Sequence, residues 1–192
     1  MVRALTVMYG AVQAAYGQGL ANTHSRMSNL RVIGIGEWQV SREPGDLLRT
    51  YALGSCVALV LQHPLTMTTG LVHILLPDSV NHPCGHQKSP GYYADTAVPL
   101  LIRTVLGTAG VYSWSRAGLS AKLAGGAAIC PNDSYFQMGQ RNIKTVEHLL
   151  RQYQIPLMGS DTGGTTSRTV TVEVATGTVV VRYAPARKEV II

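Results

Sequence analysis

No run of 18 or more apolar residues occurs in this 192-residue chain, so no transmembrane helix is expected. Cysteine is scarce: Cys56, Cys84 and Cys130 are the three present. The count is odd and no pair has the spacing of a disulfide framework, which points to a reducing, cytoplasmic setting. No fixed period recurs, which excludes collagen, coiled coils and repeat arrays. Neither GxxxxGK[ST] nor GxGxxG is present; Gly34-Ile35-Gly36 is a fragment of such a loop inside a strand pattern. Charge is also sparse. At 14% charged and 46% hydrophobic, the chain is too apolar for a disordered polymer and suits a packed core.

The length fits one domain with a short tail and leaves little room for two full cores. Twenty glycines exceed the average share of about 7%, so turns and close backbone approaches are frequent. The net charge is +6, but Lys and Arg are scattered, with one dense stretch from Arg182 to Lys188. No recognition helix or zinc-finger pattern accompanies it, so a solvated basic surface is expected, with no nucleic-acid partner. Met1 to Ala15 loosely resembles a signal peptide, but Gly10 and Gln13 interrupt it and no clean cleavage site follows. Residues 1–29 therefore read as a poorly ordered extension, and 30–192 as a single domain.

Leu30 to Val40 reads as one strand, followed by a turn at Glu43-Pro44-Gly45-Asp46 and a short extended piece from Leu47 to Thr50. Cys56 to Gln62 is almost continuously apolar. It fits a buried strand or a short buried helix, and periodicity does not separate the two. Gly70 to Leu76 is a second buried strand. Tyr93 to Leu106 and Gly139 to Gln152 carry the spacing of amphipathic helices. Leu119 to Ile129 reads as a strand interrupted at Gly125-Gly126, and Ile155 to Met158 as a short one. Arg168 to Ala175 and Thr178 to Tyr183 form a hairpin about Thr176-Gly177. Strands dominate without regular βαβ alternation, so an α/β (α+β) fold of layered sheets and flanking helices is favoured over a Rossmann fold.

Several residues invite a chemical reading. Cys56 follows a glycine turn, Leu53-Gly54-Ser55, which bends the backbone and can present amide N–H groups to an oxyanion. If a helix begins there, its N-terminus would lower the thiol pKa. The alternative is a small buried core cysteine. His73 lies among apolar strand residues, where imidazole is costly to bury without a partner. Two antiparallel strands can bring it beside Cys56 as a nucleophile–base pair, or it is a hydrogen-bonded core histidine. Thr50 is a possible third member that orients the ring, or an ordinary threonine before a turn. His82, Cys84 and His86 are three potential zinc ligands on one loop and lack a local fourth, so no metal is expected. Lys122 with Gly125-Gly126, Arg141-Asn142, and Asp161-Thr162-Gly163-Gly164 are polar, glycine-marked clusters that turns alone do not require.

Taken together, Leu53-Gly54-Ser55-Cys56, Val72-His73 with Leu76-Pro77, and Tyr93-Ala94-Asp95-Thr96-Ala97 resemble the CheD family of chemoreceptor glutamine deamidases. So do Ala121-Lys122 with Gly125-Gly126-Ala127, Gly139 with Arg141-Asn142, and Asp161-Thr162-Gly163-Gly164 with Arg168. The resemblance spans roughly residues 31–183. It implies a fold similar to the catalytic domain of deamidating toxins and a cofactor-free conversion of receptor glutamine to glutamate. It also implies a Cys–His–Thr triad at Cys56, His73 and Thr50, with Gly54 and Ser55 beside the oxyanion, and a CheC-type phosphatase as partner. The other reading is a non-catalytic binding module for CheC or receptors. Ala52 stands where the family often carries glycine.

Overall fold

The computed structural model describes residues 29–80, 88–112, 118–129, 136–186 and 188–192. Ten strands and two α-helices are present among them. The strands are β1 Asn29–Val32, β2 Trp38–Ser41, β3 Asp46–Leu53, β4 Val57–His63 and β5 Thr68–Ile74. They continue with β6 Ser120–Gly125, β7 Leu157–Thr162, β8 Arg168–Glu173, β9 Val179–Tyr183 and β10 Glu189–Ile191. Helix α1 runs Ala94–Ala109 and α2 runs Phe136–Gln152. The strands form two five-stranded sheets, one ordered β1-β3-β8-β9-β10 and the other β2-β5-β4-β6-β7.

The continuous strand expected over Leu30 to Val40 is instead two strands in different sheets. Its alternating pattern hides a turn at Ile35-Gly36, where Gly36 adopts φ +76° and the Gly34 N–H donates to the Glu37 carboxylate at 2.8 Å. β1 then pairs in parallel with β3, whereas β2 pairs antiparallel with β5. Asn29 already belongs to β1. The short piece at Leu47 to Thr50 is part of an eight-residue strand with an irregular register between Thr50 and Leu53. β10 carries too short a pattern to be legible; Arg182 of β9 holds its Glu189 by an ion pair.

The apolar run after Cys56 is a strand, which removes the helical alternative and with it the helix N-terminus expected to lower the thiol pKa. β4 lies between β5 and β6, with both faces covered. Val57, Leu59 and Leu61 pack with Val72, Ile74 and the helices, while Ala58 and Val60 pack with Leu71 toward Leu48, Val170, Val172 and Val181 of the other sheet. A strand buried on both faces has no polar alternation, and that is why periodicity could not identify it. The molecule therefore has three layers: outer sheet, inner sheet, helices. Close seating of α1 depends on Gly70 in β5, where an added Cβ would approach Val105 to 2.7 Å.

Candidate functional site

The site begins where β4 and β5 part. Their ladder ends at the pair Val57 and Ile74, and His73 lies opposite Ala58. Side chains alternate along strands, so Cys56, Ala58, Leu71 and His73 share the face turned to the outer sheet. Cys56 directly precedes β4, one residue past the last ladder pair, and packs in the same buried cluster as Ala58 and Leu71 on the face that bears His73. Across the gap, Leu48 and Thr50 of β3 point inward in sequence. Thr50 is therefore not a residue before a turn. It is an inward position of a long strand, and its Oγ1 lies 2.7 Å from His73 Nδ1. A hydrogen bond between two sheets thus joins residues 23 apart in the chain.

All three side chains are deeply buried: Thr50 is 0% exposed, His73 2% and Cys56 6%. His73 Nε2 has no hydrogen-bond partner among the described residues. Burial disfavours charge on both titrating groups. It pushes the Cys56 thiol up to about 11, against a smaller opposing pull from the Cys56 backbone amide. It pushes the His73 imidazole down to about 4. At neutral pH both groups are uncharged in this closed arrangement. For Nε2 to act as a base, its lone pair must be free, so the ring proton must sit on Nδ1 and be donated to Thr50 Oγ1.

The bend at Gly54-Ser55-Cys56 is held from two sides. The Gly126 N–H donates to Cys56 O and the Ala127 N–H to Gly54 O, both at 2.7 Å. Gly125 makes this approach possible: it has φ +108°, and a Cβ there would come within 2.4 Å of Cys56 O. From the helical side, Asn142 Nδ2 donates to Ser55 O at 2.9 Å and to Leu75 O at 2.8 Å. The N–H groups of Ser55 and Cys56 meet no backbone carbonyl among the described residues. The turn before β2 closes the remaining edge, with the Gly36 N–H donating to His73 O and the His73 N–H to Glu37 O.

The other sequence candidates divide. Gly125-Gly126 and Asn142 join the Cys56 bend. Asp161 does not; it accepts from Arg168 Nε at 2.8 Å and from the Tyr183 hydroxyl. That hydrogen bond is the main reason the Tyr183 phenol titrates above its ordinary value. The adjoining Gly163 and Gly164 brace the loop after β6 through Gly163 N–H to Gly125 O and Ala128 N–H to Gly164 O. Lys122 points to the β8–β9 hairpin and donates to Gly177 O at 3.0 Å. Arg141 pairs loosely with Asp78 at 3.8 Å. In the basic stretch, Lys188 lies over the Tyr183 ring. Residues 1–28, His82, Cys84, His86 and Cys130 lie outside the described residues. Residue-level reading marked Asn142 only as part of the Arg141-Asn142 cluster and missed its use; an asparagine at helical spacing from Val146 and Leu150, on the apolar face of a predicted helix, is the sequence signal, and the structure buries it fully.

The family model described as CheD chemotactic sensory transduction matches residues 75–183. A Syntrophotalea carbinolica protein named "Probable chemoreceptor glutamine deamidase CheD" is 41% identical over 153 residues, covering 80% of this chain and 93% of that protein. The "Chemoreceptor glutamine deamidase CheD" of Thermotoga maritima is 37% identical over 152 residues, 79% of this chain and 90% of that protein. Among solved structures, the hypothetical protein YfiH of Bacillus licheniformis is a remote likeness, with TM-score 0.42 and 10% identity over 79% of this chain and 67% of that chain.

Proposed function

The chain belongs to the CheD family, and from this premise we propose that it hydrolyses glutamine side chains of chemoreceptors to glutamate, with Cys56 as nucleophile. The observation that carries the reading is the buried Thr50–His73 hydrogen bond, with an Nε2 that has no partner among the described residues, on the face that also bears Cys56. Curated relatives carry the same activity in their names.

The neutral resting pair sets the order of events. Sγ attacks the carboxamide carbon while its proton passes to His73 Nε2, so thiolate and imidazolium arise only as the substrate reacts. The C–S bond forms, and the carbonyl oxygen gains negative charge beside the N–H groups of Ser55 and Cys56, near Gly54. The imidazolium returns its proton to the amide nitrogen, the C–N bond breaks, and ammonia leaves a thioester. His73 then takes a proton from water, hydroxide adds to the thioester carbon, and the proton goes back to Sγ as the C–S bond breaks. The products are glutamate and ammonia. Thr50 holds the ring in the tautomer that both halves need. No cofactor enters these steps.

On this reading residues 30–192 form one deamidase domain acting in the cytoplasm. No helix among the described residues is long and apolar enough to cross a membrane. A CheC-type phosphatase is the expected protein partner, on the family resemblance alone. The test is ammonia release from a chemoreceptor cytoplasmic fragment. The native protein should release it at a rate proportional to enzyme, and Cys56→Ala should not. Release by Cys56→Ala at the native rate would overturn the nucleophile assignment.

A further inference from the structure

Asn142 is 0% exposed on α2, in a helix face otherwise filled by Ile143, Val146 and Leu150. Both N–H bonds of its amide are spent on backbone carbonyls, Ser55 O and Leu75 O, while its Oδ1 is buried without a partner among the described residues. A side chain used merely to fill space would not leave a buried acceptor unsatisfied, since that costs free energy. The two carbonyls lie just beyond the last β4–β5 pair, Val57 with Ile74. Past that pair the ladder no longer fixes the Cys56 bend relative to the strand carrying His73. Asn142 spans the gap.

The bond to Ser55 O has a second consequence. In a trans peptide the C=O and the following N–H point in opposite directions. With Ser55 O tied toward α2, the Cys56 N–H is directed away from Asn142. It finds no carbonyl among the described residues and instead interacts with the thiol of its own residue. The next peptide is fixed as well, because Cys56 O accepts from the Gly126 N–H. The Cys56 N–H is thus oriented by the bonds of the peptides on either side and not by a carbonyl partner among the described residues.

We propose that Asn142 is a positioning residue that sets the Ser55–Cys56 peptide plane, so that the Cys56 N–H meets the oxyanion formed when Sγ attacks. This rests on Cys56 being the nucleophile. The test measures ammonia release from a chemoreceptor fragment by the native protein, Cys56→Ala, Asn142→Ala and Asn142→Asp, between about pH 5.5 and 8.5, per folded molecule counted by circular dichroism. Asn142→Ala should lower kcat by about 10²–10³-fold with KM changed less than about threefold, the signature of a lost oxyanion donor. Asn142→Asp should be equally impaired at high pH, where a carboxylate repels both carbonyls. It should recover as pH falls and the protonated acid donates to one of them.

Full kcat per folded Asn142→Ala molecule, or an Asn142→Asp defect independent of pH, would overturn the inference. Failure of both variants to fold would assign Asn142 to stability alone and overturn it too. An inactive Cys56→Ala beside a fully active Asn142→Ala would sink this inference and leave the nucleophile in place. An active Cys56→Ala would sink the nucleophile first.

Discussion

β4 and β5 present two faces of the same pair of strands, and the faces have different tasks. Toward the helices they offer Val57, Leu59, Leu61, Val72 and Ile74, all apolar and all fully buried. Toward the outer sheet they offer Ala58, Val60 and Leu71, but at one end the face carries Cys56 and His73, with Thr50 facing them. Backbone, register and burial are shared, so the difference lies in side-chain chemistry alone. The helix-facing side stabilises. The sheet-facing end holds polar groups that burial penalises, kept in place by one inter-sheet hydrogen bond and a braced loop. Such groups persist where they serve reactivity.

The sharpest way to break the comparison is to truncate one residue on each face. Cys56→Ala should lose about 10⁴-fold or more of the deamidation rate while thermal unfolding moves little. Leu59→Ala should cost about 2–5 kcal/mol in denaturant unfolding and leave kcat per folded molecule unchanged. If the two profiles coincide, the division of labour is wrong. Thr50→Val preserves shape and removes the acceptor of His73 Nδ1. It should lower kcat by about 10²-fold, whereas Thr50→Ser should stay within a few-fold of native. Equal loss in both would make Thr50 a packing residue.

Acidity probes the same end of the interface. His73 titrates at about 4 when folded against an ordinary 6.5, so the unfolded chain takes the proton first. The stability associated with neutral His73 is present above pH 6.5 and is lost as pH falls toward 4. His73→Gln should flatten that part of the stability profile. Alkylation of Cys56 by iodoacetamide in the free protein should climb toward pH 11, because the thiol is held protonated below it. A plateau near pH 6 would instead reveal a resting ion pair. The smallest expected effect is Ala52→Gly. Ala52 sits at φ +56°, a conformation that favours glycine, so the change should stabilise by up to about 1 kcal/mol in the same unfolding assay.

Much of this was readable from the chain. The two helices, the buried strands after Cys56 and around His73 and the Thr176-Gly177 hairpin all have local signals: apolar spacing, β-branched runs and turn residues. The expected antiparallel pairing of the strand after Cys56 with the strand of His73 is that of β4 with β5. Three things were hidden. Strand identity after Cys56 depends on layers covering both faces, which is a tertiary fact. The split of Leu30 to Val40 depends on one left-handed glycine inside an otherwise continuous pattern. The depth of burial was hidden as well: a helix beginning at Cys56 would have lowered the thiol pKa, whereas a strand end in a closed interface raises it. The alanine at 52 was visible as a departure from the family, but only the backbone explains its cost.

The central claim is that a thiol on the sheet-facing end of this strand pair converts receptor glutamine to glutamate. Peptide mass spectrometry of a chemoreceptor cytoplasmic fragment, incubated with the native protein or with Cys56→Ala, tests it most directly. The account predicts a gain of about one dalton at particular glutamines with the native protein and none with Cys56→Ala. The same gain with both proteins, or none with either while the native protein binds the fragment, would contradict it.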